Sequence, residues 1–560
     1  MGGSDSAGRQ RNRPVARSAI GGLRPGAQDR RPCPGGLDWV ARRQFLPHSA
    51  TMNPRFYITT AIAYPNGKPH MGHAYEAIAT DAIARFKRLD GFDVRFLTGT
   101  DEHGLKIAQA ARVAGIEPRA YVDATSQPFI DLDRQLGISF DRFIRTTDAD
   151  HKDLCQALWD RMAANGDLYL GRYEGWYSVR DEAYYDEAEL IAGEDAEGRA
   201  VKLSPQGTAV EWTVEESWFF KLSAYAEPLL AHYAAHPDFI QPASRFNEMR
   251  SFVSGGLSDL SMSRTSFDWG IPVPGSPGHV MYVWVDALAN YLTGAGGLEG
   301  EWWPADLHVI GKDVVRFHAV YWPAFLMSAR LALPKTVFGH GFVLNRGVKM
   351  SKSDGNVVDP AAMAERFGVD RLRWFLLREV AFGEDGSYSD EAIIERTNAD
   401  LANGIGNLAQ RALSMVAKNL GGAMPGSGAS EGAEPLSESL DTLTQAYFGA
   451  MAGLQLNRAL EAVMAMVNAA NGYFADNAPW KLAKTDVAAM GHVLQATLDA
   501  TRRIVLLTQP FVPEASARLL DQLGVAPDAR QFSNLGDVVA AGTQLPDPQG
   551  VFPRWSEAAA

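Results

Sequence analysis

The feature that most constrains this chain is a strand, a tight turn and a histidine-bearing helix in immediate succession. Residues 55–63 (RFYITTAIA) are rich in aromatic and β-branched side chains and read as a buried strand. Residues 64–69 (YPNGKP) form a turn by composition. Residues 70–89 then show helical spacing at Ala74, Ile78, Ala82, Ile83 and Phe86, and a second strand, 93–97, follows Gly91. Such a β-α-β unit delivers a helix N-terminus to the carboxyl edge of a parallel sheet, where open α/β sheets bind ligands. The helix opens His70-Met71-Gly72-His73. Imidazoles at i and i+3 share a helix face, and Gly72 leaves room for a ligand against the backbone. Unpaired N–H groups at that end favour phosphate, and two imidazole donors could hold its oxygens as charge builds. A pair of capping or surface histidines is the plainer alternative.

A second segment, 276 residues after His73, fits the first. Lys349-Met350-Ser351-Lys352-Ser353 lies between a strand-like GFVL at 341–344 and the loop residues Asp354, Gly355 and Asn356. Two lysines in a loop of this kind suit closure over phosphates; a solvated basic loop is the bland reading. Together the two segments resemble the paired motifs of class I aminoacyl-tRNA synthetases. AIAYPNGKPHMGH, FLTGTDEHG, YVWVDALANY, GKDVVRFH and NAPWKLA narrow the resemblance to the methionine-specific family. It runs from about Pro54 to the C-terminus.

The resemblance implies a Rossmann-like α/β catalytic domain split by a connective insertion and followed by an α-helical bundle. The expected segments are 52–165 and 263–396 for the two catalytic halves, 166–262 for the insertion and 397–560 for the anticodon-binding helices. It implies methionine activation by ATP and transfer to the terminal adenosine of initiator and elongator tRNA(Met). His70, His73, Lys349 and Lys352 would be catalytic. Asp101, after the second strand, would pair with the methionine ammonium. Trp284, Ala287 and Tyr291 fall at i, i+3 and i+7, a stripe that is core packing by default; the resemblance places it around the thioether, where aromatic walls suit a polarizable sulfur. Ile62, Tyr64 and His318 would complete that pocket. ATP contacts would come from Asn66, Gly72, Gly311, Asp313, Val343 and Lys352, with Mg²⁺ entering alongside the nucleotide.

Within the insertion, relatives often carry zinc-binding cysteine pairs. Here Ser178 and Asp181 stand where a Cys-x-x-Cys pair is expected, so no metal site and no structural zinc are expected. The chain has two cysteines, Cys33 and Cys155, which rules out a four-cysteine site; Cys155 reads as a buried small hydrophobe on a helix. From about Thr397 the apolar period is 3.6, with a Gly/Ser/Pro/Ala stretch at 421–435 between the first bundle helix and the next. Asn407, Arg411 and Trp480 match the family positions that read the anticodon. A tryptophan stacks on a single-stranded base, while an amide and a guanidinium read its edges. A surface charge and a hydrophobic staple are the alternatives for Arg411 and Trp480.

Charge sharpens the picture of the tRNA partner. The chain's net charge is −13, yet residues 1–51 carry nine Arg, three Asp and neither Lys nor Glu. That leaves 44 basic against 63 acidic residues in 52–560, a net −19. Eight Gly and five Pro give the first 51 residues no apolar period, so they read as disordered. An upstream-start artefact, a mitochondrial-type presequence and an RNA-binding arm are the three readings of this segment. The acidic body excludes a nucleic-acid coat by bulk charge. A local basic strip from the His70 pocket to Arg411 is expected instead. Apolar runs fall short of the ~18 residues of a membrane span. A cytoplasmic monomer is expected, because the oligonucleotide-binding module of dimerising relatives does not follow the bundle. A tRNA-independent adenylate-forming ligase and an inactive tRNA-binding paralogue are the alternatives. The helical end argues against the first, and the intact histidines and lysines against the second.

Overall fold

The computed structural model describes residues 53–178, 180, 183–194, 199–348, 358–428 and 432–556. The Arg-rich segment 1–51, Asp181 and both loop lysines, Lys349 and Lys352, lie outside the described residues.

The first half of the catalytic region runs β1 (Arg55–Thr60), α1 (Met71–Leu89), β2 (Asp93–Thr100), α2 (Leu105–Ala114), α3 (Pro118–Gln135), β3 (Arg142–Arg145) and α4 (Ala149–Ala164). The insertion follows with two long strands, β4 (Leu168–Ser178) and β5 (Glu211–Phe220), and then a short β6 (Ile240–Gln241). The chain returns with α5 (Val283–Ala295), β7 (Leu307–Gly311), β8 (Val337–His340), β9 (Val343–Asn345), α6 (Val369–Glu379) and β10 (Gly386–Tyr388). Six strands form one sheet in the order β3-β2-β1-β7-β8-β6, every neighbouring pair parallel. The order reverses between β1 and β7, with Ile58 beside Leu307, so the loops after these strands open a crevice at the carboxyl edge. Gly99 is required where β2 meets β3, since a Cβ there would lie 2.0 Å from the Ile144 carbonyl oxygen.

The β4–β5 part of the insertion is antiparallel, while β6 joins the parallel catalytic sheet beside β8. β4 and β5 pair from Leu168–Phe220 to Tyr177–Glu211. Ser178 at the end of β4 is fully buried, and its hydroxyl lies 2.6 Å from that of Thr208, which in turn lies 2.9 Å from the Ser204 hydroxyl. Neutral hydroxyls are not zinc ligands, so these residues do not fit a structural zinc.

The helical end starts differently from the expected 3.6 period. Residues Asn398–Gly406 form wider π-helical turns before α7 (Asn407–Leu420) takes over. After it come α8 (Ala433–Ala452), α9 (Leu456–Asp476) and α10 (Val487–Thr508). One apolar core runs from α1 through α6 into these helices. Phe86 of α1 packs against Tyr447, Phe448 and Phe532. Arg373 of α6, fully buried, bonds Asp81 of α1 at 2.6 Å and the carbonyls of Leu136, Pro510 and Phe511. A guanidinium so deep persists only because its donors are met. Among the described residues no helix is long and apolar enough to cross a membrane.

Candidate active site

The turn after β1 sets the two histidines. His70 is not the first residue of the helix but its N-cap, in extended conformation. Its Nδ1 accepts from the Gly72 N–H at 3.1 Å, and the Nδ1 of His73 accepts from the His70 N–H at 3.1 Å. The two bonds make a reciprocal capping box, with histidine in the part usually played by Ser and Glu. The rings stack, centroids 3.8 Å apart. The expected shared helix face is thus replaced by a stacked pair straddling the helix start. Because both Nδ1 atoms accept, the proton of each neutral ring sits on Nε2, a donor suited to phosphate oxygens. The room expected above Gly72 is taken by His70: a Cβ there would lie 2.9 Å from its Cε1.

Asp101 follows β2, nearly buried, its N–H donating to the Ala63 carbonyl at 2.8 Å. That bond holds the loops after β1 and β2 together. Asn66 is half-buried in the first of them. Across the crevice, α5 brings Ala287 and Tyr291 into the interior and leaves Trp284 half-buried. The Trp284 ring lies flat on Phe317, centroids 3.6 Å apart. The Tyr291 hydroxyl is 2.6 Å from His318 Nε2, and His318 Nδ1 is 2.9 Å from the Val314 carbonyl. A carbonyl only accepts, so His318 carries its proton on Nδ1 and takes the Tyr291 hydroxyl hydrogen on Nε2. Burial pushes the His318 imidazole down to about 4, which keeps it neutral beside an apolar ligand. Ile62, Tyr64, Trp284, Phe317 and Tyr321 border the same apolar core. Phe317 was missed in the sequence, although it lies inside GKDVVRFH; its signal was the aromatic next to His318.

The nucleotide side is built from β7, β8 and β9. A Cβ on Gly311 would lie 2.6 Å from the Asp313 carboxylate, so glycine lets that exposed carboxylate fold back over the strand end. Lys312 reaches both Asp385 oxygens at 2.7 and 2.8 Å, and Asp385 accepts from the Phe342 N–H at 2.8 Å. This ties the loop after β7 to β9, where Val343 is buried. Glu76, one turn into α1 from His73, was also missed. Its carboxylate meets His340 Nε2 at 2.8 Å. Burial raises the Glu76 carboxyl, and Glu76 raises the His340 imidazole against the opposing effect of burial, so the pair shares a proton.

Far from this crevice in sequence, Asn407 and Arg411 stand one turn apart on α7, Asn407 exposed. The Arg411 guanidinium lies 4.6 Å from the Phe474 ring centroid and 5.6 Å from that of Trp480. Trp480 is 42% exposed and tilts against Phe474, a residue absent from the sequence reading. A positive residue over two aromatics is a stable cation–π group with an open face for a further ring.

Similarity to known proteins covers both regions. Residues 56–413 match the family "tRNA synthetases class I (M)", and residues 424–559 match "Anticodon binding domain of methionyl tRNA ligase". Methionine–tRNA ligase of Brucella suis is 57% identical over 511 residues, covering 90% of this chain and 98% of its own. The Mycobacterium bovis methionine–tRNA ligase is 57% identical over 514 residues, with 89% and 98% covered. The Mycobacterium tuberculosis methionyl-tRNA synthetase in complex with methionyl-adenylate superposes with a TM-score of 0.87 at 56% identity, covering 90% of this chain and 100% of that one. Its apo form gives a TM-score of 0.81 at 52% identity, over 91% of this chain and 100% of that one. With the crevice, the aromatic pocket and the cation-capped aromatics in place, the chain belongs to the methionyl-tRNA synthetases, the class I aminoacyl-tRNA ligases that join methionine to tRNA.

Proposed function

We propose that the crevice activates L-methionine with ATP through the residues placed around it, and that the methionyl group then passes to the terminal adenosine of initiator and elongator tRNA(Met). The observation that carries the reading is the reciprocal cap of His70 and His73, which turns two Nε2–H donors into a preorganised pair at a helix N-terminus. Asp101 takes the methionine ammonium. Ile62, Tyr64, Trp284, Ala287, Tyr291 and His318 enclose the thioether. Asn66, Gly311, Asp313 and Val343 meet the nucleotide, while Gly72 serves by giving room to the His70 ring; a companion Mg²⁺ would supply charge neutralisation.

The methionine carboxylate attacks the α-phosphorus in line and pyrophosphate leaves. No protein nucleophile takes part, so the chain contributes positioning and charge stabilisation. His70 and His73 donate to the phosphate oxygens as charge develops. Lys352, assisted by Lys349, neutralises the leaving pyrophosphate. Asn407, Arg411 and Trp480 read the anticodon. The protein acts as a cytoplasmic monomer, which sedimentation and cell fractionation would check.

The test is methionine-driven exchange of pyrophosphate into ATP. Lys352→Ala is expected to lower the rate by about 10²-fold or more. A rate within about twofold of the parent would show that Lys352 does not serve the transition state.

A further inference from the structure

The loop after β2 is pinned at two consecutive residues in opposite directions. The Glu102 carboxylate is fully buried and accepts from Thr100, Ser126, Thr147 and Arg145 at 2.5–2.8 Å, so it is anchored toward α3 and the end of β3. His103 points the other way. Its Nδ1 lies 2.6 Å from the Asp286 carboxylate, which belongs to α5 between Trp284 and Ala287. The loop's backbone is held as well: the Glu102 carbonyl accepts from Trp269 Nε1 at 2.7 Å, and the His103 carbonyl accepts from the Tyr64 hydroxyl at 3.2 Å.

Asp286 is the hub. Its other oxygen lies 2.7 Å from His151 Nε2, and His151 Nδ1 lies 2.9 Å from the Thr293 hydroxyl. His103, His151 and Asp286 are all buried. Burial alone would raise the Asp286 carboxyl; the two imidazoles overcome this and hold it well below the usual carboxylate range. Cys155, 3.3 Å from His151 Nε2, completes the cluster. His151, Cys155 and Asp286 bring their donor atoms within 4.8 Å of one another. Yet the nitrogen and the carboxylate oxygen stand at hydrogen-bond distance, so a proton and not a metal ion fills the gap.

A buried network whose polar groups all find partners defines one geometry. Here that geometry joins two subsites. Asp101, two residues before His103, sits on one side of the bridge, and Ala287, next to Asp286, on the other.

We propose that His103 is a positioning residue for methionine activation: its bond to Asp286 fixes the distance between the ammonium subsite at Asp101 and the thioether subsite on α5. The proposal rests on the activation reading above. Methionine is short, and a misplacement of about 1 Å between its two anchors is enough to cost about 10²-fold in a positioned reaction.

The test is methionine-driven pyrophosphate exchange by the full chain, with KM for methionine and for ATP and kcat measured separately. His103→Ala is expected to raise the methionine KM at least about tenfold and leave the ATP KM within about twofold. His103→Asn, whose amide can donate from nearly the same position as Nδ1–H, should return the methionine KM to within about threefold of the parent. Cys155→Ala, at the far end of the cluster, should leave both KM values within about twofold. If His103→Ala does not fold, Asp286→Asn, of equal size, should show the same methionine-selective rise. A methionine KM unchanged in His103→Ala, or equal rises for both substrates without rescue by Asn, would overturn the bridge. A parent that exchanges no pyrophosphate with methionine removes the activation reading and this proposal with it; an active parent with an unaffected variant removes the proposal alone.

Discussion

The crevice and the helical end solve opposite problems. Beneath the crevice, largely buried side chains are fixed by hydrogen bonds between distant parts of the chain: His103 to Asp286, Glu76 to His340, Tyr291 to His318. At the helical end, Arg411, Phe474 and Trp480 are held by ring contacts, and Trp480 stays 42% exposed against 1% for Tyr291. A small substrate with one reacting carboxylate gains from a dry, rigid frame, since preorganised dipoles act without reorganisation. A nucleotide base of a folded RNA needs an open aromatic face it can reach. The difference predicts that the two regions separate in experiment.

The largest effect belongs to the crevice. His73→Ala removes one of the two imidazoles proposed to donate to phosphate, together with the acceptor that holds the His70 N–H. Exchange is expected to fall by about 10²- to 10³-fold, and tRNA charging with it. Charging that fell while exchange held would put His73 on the tRNA path instead and break the comparison. The second effect belongs to the helical end. Trp480→Ala should lower tRNA charging by about 10- to 100-fold, the equivalent of one lost base stack, while exchange stays within about twofold. Equal loss in both assays would mean that the side chain supports the fold and does not stack on tRNA.

The sequence was most legible where pattern is local. β1, α1 and β2 were visible because RFYITT is a run of aromatic and β-branched residues, buried over its last four positions, and α1 repeats its apolar positions at helical spacing. His70 as a cap was one residue beyond what spacing resolves. The insertion was legible as a segment through the resemblance but not in its register, which depends on β4 meeting β5 about forty residues later. Ser178 was readable as a missing cysteine, but not its partner Thr208. Glu76, Phe317 and Phe474 were missed for one reason: each takes its role from a residue elsewhere in the chain. The helix period carried the π-turns at 398–406 as ordinary helix, since Leu401 and Ile405 sit four apart in either geometry. Cys155 was read correctly as buried, yet its contact with His151 could not be seen.

Asp133 gives the smallest effect and the finest distinction between the two regions. It lies on α3, one turn after Phe129, whose ring packs edge-on against His73. It is 8% exposed, and burial, helped by the charges of Asp81 and Glu76, pushes its carboxyl up to about 7. In the unfolded chain the same group titrates near ~3.9. Between those values the native state keeps a proton that the unfolded state has lost. The contribution of Asp133 to stability should therefore be fully present below about pH 4 and be lost as the pH rises through about 7. Asp133→Asn imitates the protonated form at every pH. Urea unfolding should show the variant nearly equal to the parent at about pH 3.5 and more stable by about 3–4 kcal/mol at pH 8. A difference that does not change between the two pH values would mean that solvent reaches Asp133 and that α3 is wetter than its burial implies. In that case the dry frame behind His73 is not continuous, and the contrast with the open helical end narrows to the crevice itself.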